Sequence, residues 1–315
     1  MKRFAGDWIQ IRTEYLETCG LPLYLNAIAG EDGIVLLDSG VAATPEASIS
    51  GELAAAGLRV EDIALVVNSH AHPDHMGGNA NLRRLADPEF AAPAAEAAWL
   101  EDNDLVIREL WEPNPDAYLL DDAERADLYG LFGDRVRVDR LLRDGDTIVA
   151  GGTPLTVITT SGHSPGHIAM HDPQRGVLFT FDDVQGAGTP VAHSDVWLPP
   201  LYHDVERYLA GLRRLAAADF ELLVPAHGDH LDRAAGLARI EESIAFVERA
   251  GDFVAGYVAR HGETRLGPLA HALGTELGPY DGVNLQTMSV AKAHLDQLVR
   301  RGALTPVWRH APGPA

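Results

Sequence analysis

His70-Ala71-His72-Pro73-Asp74-His75-Met76-Gly77-Gly78 packs three imidazoles and a carboxylate into six residues, directly behind the apolar run Ile63–Val67. That run is short and partly β-branched, which predicts a buried strand. His70 and His72 leave its end at i and i+2, so both rings face one way while the backbone stays extended. Pro73 stops the strand, and Asp74 and His75 fall where a helix reaching to about residue 86 begins. Gly77 and Gly78 let that backbone come close to whatever the four side chains hold. Imidazole nitrogen and carboxylate oxygen suit borderline-soft divalent ions such as zinc, and a pair of ions needs about this many donors. One histidine at a strand end is ordinarily a surface residue. Four donors in six positions point to metal.

The same punctuation recurs along the chain. Strands are predicted over 8–16, 23–29 and 33–37, the last two joined by the turn Gly30-Glu31-Asp32-Gly33 and ending in Asp38. A helix follows over 42–57, with Thr44 as its cap, Pro45 in its first turn and Gly57 closing it. Residues 96–127 read as mostly helical and strongly acidic, with 11 acids against Arg108 and Arg125. A solvated face is the plain reading; its place between two ligand segments suggests a lid or subunit contact, anchored by Trp99, Trp111 and Tyr118. Strands over 135–142, 147–150 and 155–160 lead into Gly162-His163-Ser164-Pro165-Gly166-His167. A hairpin over 168–171 and 177–181 ends in Asp182-Asp183, and a strand over 222–224 ends in Pro225-Ala226-His227-Gly228. Between them, a loop over 184–203 precedes a helix capped by Asp204, with Val205, Leu209, Leu212 and Leu215 on one face. Each candidate ligand follows the carboxyl end of a strand and precedes proline or glycine. Side chains from separate strands thus converge on one edge of a layered α/β fold.

The chain as a whole sets bounds on its chemistry. At 315 residues it accommodates a large domain and an appendage, which we divide at 1–231 and 232–315. With 46% hydrophobic and 23% charged residues it can build a full core. No apolar run approaches the roughly 20 residues that span a bilayer, and the start lacks the apolar region of a secretory signal. The single cysteine, Cys19, forms no intrachain disulfide, which makes the cytoplasm the expected location. The net charge of −21 lies wholly in the first 231 residues, which hold 16 basic and 37 acidic side chains. Such a surface repels nucleic acid and anionic membrane, leaving a small-molecule substrate as the expected partner. From Asp232 the chain turns helical, over 233–250 continuing to about 261, then 266–273 and 287–301, with a short wing strand over 303–308. This tail resembles a small winged-helix module. Being electroneutral, it suits packing or homodimer formation better than nucleic-acid reading.

Taken in order, His70, His72, Asp74, His75, His163, Asp182 and His227 make the sequence resemble the metallo-β-lactamase superfamily over about residues 8–231. The resemblance implies an αββα sandwich with a dinuclear site at the edge of its two sheets. By position, His70, His72 and His163 would hold one ion, Asp74, His75 and His227 the other, and Asp182 would bridge them. A small residue usually precedes the bridging aspartate; here it is Phe181, and Asp183 follows. Intact Asp74 and the helical tail look most like the glyoxalase II and lactamase-beta-like hydrolases. An iron-dependent persulfide dioxygenase-like oxidoreductase and a lactamase-beta-like endoribonuclease are the alternatives.

On this reading two divalent ions, expected to be zinc although iron and manganese accept the same donors, share a hydroxide that cleaves an ester, thioester, lactone or amide of a small acyl substrate. Asp74 and Asp182 are the catalytic candidates, with Asp74 orienting the water. Metal-bound imidazoles need their outer nitrogens held, and Asp38 and His167 are the candidates for that support. In the 184–203 loop, His193 and Tyr202 are candidate substrate contacts, Tyr202 as a donor to an oxyanion.

Overall fold

The computed structural model describes residues 2–4, 7–13, 15, 20–115, 117–280 and 283–306. Cys19 lies outside these residues.

Two sheets carry the fold. The first runs in chain order from β1 (Lys2–Phe4) through β2 (Trp8–Arg12), β3 (Tyr24–Gly30), β4 (Gly33–Leu37), β5 (Ile63–Val67) and β6 (Glu89–Pro93) to β7 (Arg140–Leu142). Its first half is antiparallel, with Gly30 opposite Gly33 across the predicted turn, and β4 to β7 are parallel. The second sheet is ordered β15-β14-β11-β10-β9-β8. Its strands are β8 (Thr147–Ala150), β9 (Thr153–Thr159), β10 (Ile168–Asp172), β11 (Val177–Phe181), β14 (Leu222–Pro225) and β15 (Leu231–Asp232). Only its β11–β14 pair is parallel. A small hairpin of β12 (Thr189–Pro190) and β13 (Trp197–Leu198) stands apart.

Strand β4 shows why both faces of a sheet are buried. Its Gly-Ile-Val-Leu-Leu is apolar without alternation, as a strand covered on two sides must be. Val35 and Leu37 turn toward the second sheet, where they join Val67, Ile148, Val157, Met170 and Phe179. Ile34 and Leu36 turn outward, against Ile49, Leu53 and Leu82 of the helices that cover that face. Between the sheets, Trp8 meets Phe179 edge-on at 5.3 Å. The result is an αββα sandwich.

The helix expected to run from Asp74 is two pieces, α1 (Pro73–Met76) and α2 (Asn79–Leu85). Gly77 and Gly78 lie between the pieces and press on backbone: a Cβ at Gly77 would lie 2.1 Å from Leu131 O, and one at Gly78 2.2 Å from Ser39 O. The glycines thus seat the ligand loop on neighbouring chain, not on the ligands. Residues 96–127 are mostly helical, as expected, but in short pieces, Ala97–Leu100, Asn103–Val106 and Ile107–Trp111, followed by the start of α3 (Asp122–Phe132). Thr44 precedes its helix without a side-chain cap bond. Strand β7 is also shorter than the predicted 135–142.

The second sheet is covered by α4 (Val205–Ala217), capped by Asp204 Oδ1 accepting from Arg207 N at 3.0 Å. Beside it pack α5 (Arg233–His261), α6 (Leu266–Glu276) and α7 (Leu285–Arg300). Leu212, Leu223, Phe246, Leu269 and Met288 share one apolar cluster, so the C-terminal helices extend the outer layer of the sandwich. Residues 303–306 form no strand; the rest of the expected wing lies outside the described residues. No helix among the described residues is long and apolar enough to cross a membrane.

Candidate metal centre

Four loops at one edge of the sandwich deliver the donors. His70 and His72 come from the turn after β5, and Asp74 and His75 from α1. His163 follows β9, Asp182 follows β11 and His227 follows β14. Distant in sequence, they meet in two groups whose ligand atoms all lie within 4.8 Å of one another: His70, His72, His163 and Asp182, and Asp74, His75, Asp182 and His227. Asp182 belongs to both. Its Oδ2 lies 3.3 Å from the Nε2 atoms of His75 and His227, 3.5 Å from that of His163 and 3.9 Å from that of His70.

Four of the five rings are turned so that Nε2 faces inward and Nδ1 is held. His75 Nδ1 sits 2.8 Å from Asp38 Oδ2, whose other oxygen accepts from Ser69 N at 2.7 Å. Ser69 Oγ reaches His70 Nδ1 at 2.9 Å, His163 Nδ1 donates to Leu201 O at 3.2 Å, and His227 Nδ1 donates to Pro22 O at 2.7 Å. His72 alone is reversed. Its Nδ1 faces His70 Nε2 at 2.9 Å and His163 Nε2 at 3.0 Å. Asp38 therefore stands where the outer nitrogen of a ligand needs support. It takes a left-handed φ of 63° to do so, and Phe181 beside Asp182 takes 47°. Such backbone costs about 1–3 kcal/mol per residue and persists only where packing enforces it.

The electrostatics divide the two groups. Burial drives the three-histidine group toward neutrality: His72 falls to about 3, and His70 and His163 fall well below the usual imidazole value, helped by their neighbouring rings. In the second group burial pulls the same way but loses to charge. Asp182, Asp74 and Asp38 lift His75 well above its usual value, and Asp182 and Asp74 raise His227 to about 10. Burial would raise the two aspartates, yet His227 and His75 hold Asp182, and His75 and His227 hold Asp74, well below the carboxylate range. The inward nitrogens of His70, His72 and His163, held toward neutrality by burial, lie about 3 Å apart, a crowding of donors that a cation between them would organise. Asp182 Oδ1 is buried with no hydrogen-bond partner among the described residues. Inward nitrogens, outer nitrogens supported in four of the five rings and a shared carboxylate fit a pair of divalent ions.

The other candidates sort differently. His167 is buried beside the centre, 2.8 Å from Asp183 Oδ2 through Nδ1, with its Nε2 3.4 Å from Asp182 N. Tyr202 is fully buried, stacked on Tyr208, and its hydroxyl is 2.8 Å from His294 Nε2 of α7. His193 is exposed at the tip of the β12–β13 hairpin. Sequence reading passed over His203, whose imidazole acts on His72 and is itself lowered by burial to about 4. It also passed over Glu96, a fully buried acid inside the acidic segment. A cavity of about 260 Å³ opens beside Asp182 and His227, lined by Phe181, Gln185, Pro190 and, from α5, Arg239.

Comparison with known proteins agrees with this geometry. The family model described as the metallo-beta-lactamase superfamily matches residues 26–227. Hydroxyacylglutathione hydrolase of Hyphomonas neptunium is 30% identical over 145 residues, 46% of this chain and 42% of that protein. Human acyl-coenzyme A thioesterase is 30% identical over 201 residues, 60% of this chain and 65% of that one. The match thus spans about half of the first relative and under two thirds of the second. Among solved structures, a metallo-beta-lactamase family protein from Thermus thermophilus aligns over 90% of both chains with a TM-score of 0.69 at 21% identity. A beta-lactamase domain protein from Burkholderia ambifaria aligns over 96% of this chain and 89% of that one, with a TM-score of 0.70 at 21% identity. These two likenesses concern the fold. With the family model matching well over half its length, the chain belongs to the metallo-beta-lactamase superfamily.

Proposed function

We propose that the protein is a zinc-dependent hydrolase of small acyl substrates, acting on a thioester by preference over an oxygen ester, lactone or amide. The observation that carries it is Asp182 Oδ2 within 4 Å of four imidazoles, shared by two donor groups. Zinc over iron or manganese is inferred from donor type. The preference for a thioester follows from the two relatives, whose names describe hydrolysis of an acyl group from glutathione and from coenzyme A.

When bound, a pair of such ions makes water a nucleophile near neutral pH and polarises a carbonyl. His70, His72 and His163 would hold one, Asp74, His75 and His227 the other, with Asp182 between. Asp74, low in pKa and 3.2 Å from His227 Nε2, stays ionised and can orient the attacking water. The buried position of the donors excludes bulk water, which strengthens every charge interaction at the reacting carbonyl. Arg239, paired with Glu242 at 3.3 Å, is the arginine among the residues lining the adjoining cavity, and would take an anionic group on the thiol carrier.

The test is thiol release from a panel of acyl thioesters, run beside oxygen esters, lactones, amides and phosphodiesters, before and after metal removal. We expect about two zinc ions per chain, thioester turnover that a chelator abolishes and zinc restores, and a raised KM for Arg239→Ala with anionic carriers. Turnover undiminished in metal-stripped protein would overturn the reading. Iron with oxygen uptake, or cleavage of the phosphodiesters alone, would replace it.

A further inference from the structure

The metal centre leaves part of its own loops unexplained. Ser164 and Gly166 follow His163, and Ala71 separates His70 from His72, yet none of the three offers an inward donor. All three bond to one residue. Glu96, just beyond β6 and fully buried, accepts from Ala71 N through Oε2 at 2.7 Å. Its Oε1 accepts from Gly166 N at 2.6 Å and from the Ser164 hydroxyl. Gly166 is required by this contact, since a Cβ there would lie 2.8 Å from Glu96 Cγ. Among the described residues the side-chain hydrogen-bond partners of Glu96 are three uncharged donors, all on those two loops.

We propose that Glu96 is the positioning residue of the three-histidine group, tying the loop of His70 and His72 to the loop of His163. The inference rests on the metal-centre reading above and adds a residue to it. The nitrogens of His70, His72 and His163 must meet within about 3 Å across two loops separated by 91 residues. Backbone loops left free would spend that proximity on conformational entropy. A carboxylate can accept from both loops at once; an amide cannot, because its NH₂ would face a backbone N–H on one side. Asp38 does the corresponding work for His75 through a different strand end. Among the described residues Glu96 makes no hydrogen bond to Asp74, His75 or His227, so its hold acts first on the three-histidine group and the ligand that Asp182 adds to it.

The experiment separates the groups before testing the residue. His227→Ala leaves the three-histidine group; His163→Ala leaves the other. Zinc affinity is read by chelator competition in each background, with and without Glu96→Gln. We expect Glu96→Gln to weaken zinc about 10- to 100-fold in the His227→Ala background, and to leave the His163→Ala background unchanged. In the metal-free chain, hydrogen exchange at the Ala71 and Gly166 amides should quicken. Should Glu96→Gln fail to fold, Ser164→Ala, which removes one of the three donors, is expected to give the same one-sided pattern in smaller measure. Equal loss in both backgrounds, or no loss in the first, overturns the proposal. A wild-type chain that binds no zinc overturns the metal centre and this proposal with it; the exchange rates then still report whether the two loops are tied.

Discussion

Adjacent acids do different work here. Asp182 Oδ2 sits among the imidazoles, whereas Asp183 turns away, 2.8 Å from His167 Nδ1, and its carbonyl accepts from Tyr208 OH at 2.7 Å. Asp182→Ala should remove paired metal binding and turnover together. Asp183→Ala should keep both ions and cost about 1–3 kcal/mol of stability, because buried His167 loses its charged partner. Elemental analysis and urea unfolding of the two variants check this; equal loss of metal in both would mean that the bridge is misassigned. At this scale the sequence was informative where spacing carries chemistry. Four donors in six residues serve few purposes besides holding an ion, whereas an acid at a strand mouth reads equally as a turn cap, and only its contact with His75 Nδ1 tells the two apart. Glu96 was hidden because it stands in a run of 11 acids, and nothing in composition marks the one that is buried. The left-handed backbone of Phe181 was equally hidden, since phenylalanine is a poor signal for it.

Among the elements, strands were easier to place than breaks. Apolar runs such as 33–37 and 177–181 coincide with β4 and β11, because burial on both faces leaves no room for polar residues. The need for glycine between α1 and α2 depends on tertiary contacts with Leu131 and Ser39, which no local pattern announces. Gly77→Ala should therefore destabilise the fold by at least ~1–3 kcal/mol through overpacking, read as a fall in the urea midpoint; an unchanged midpoint would show that the close approach is absent in solution. The 184–203 loop makes the same point. Trp197 N donates to Pro279 O at 2.8 Å, Gly186 N to Ser243 Oγ at 2.8 Å, and Tyr280 OH to Ala187 O, so the C-terminal helices and the turn after α6 hold it in place. That the α7 residue His294 meets the Tyr202 hydroxyl is likewise not written in the local sequence. Tyr202→Phe should cost ~1–3 kcal/mol by leaving His294 unpaired. It should also leave KM unchanged, which a substrate-binding hydroxyl would not.

Over the whole molecule, burial and charge set histidines against one another, and their balance predicts how the metal-free protein responds to pH. His294 and His203 are each lowered by burial to about 4, His72 to about 3, and His70 and His163 in the same direction. In the unfolded chain each titrates near 6.5. Below that pH the unfolded state binds protons that the native state refuses, so stability falls as pH drops from about 6.5 toward 4, by up to about 3 kcal/mol for a group shifted this far. His227, raised to about 10 by Asp182 and Asp74 against its burial, and His75, raised likewise, act oppositely. Their contribution is complete below 6.5 and is lost as pH climbs through the folded values. The metal-free chain should thus be most stable near pH 6.5 and weaken on both sides. Bound zinc removes the alkaline arm, because it takes the nitrogens of His75 and His227 that would otherwise carry protons, and its affinity there should rise with pH. Urea midpoints from pH 4.5 to 9.5, with chelator and with zinc, measure both arms. His294→Gln, which deletes one depressed histidine outside the metal centre, should flatten the acid arm by its share and leave the alkaline arm alone. A metal-free midpoint that rises steadily past neutrality would mean that Asp182 and Asp74 do not hold protons on His75 and His227, and that the second donor group is not charged as the geometry requires.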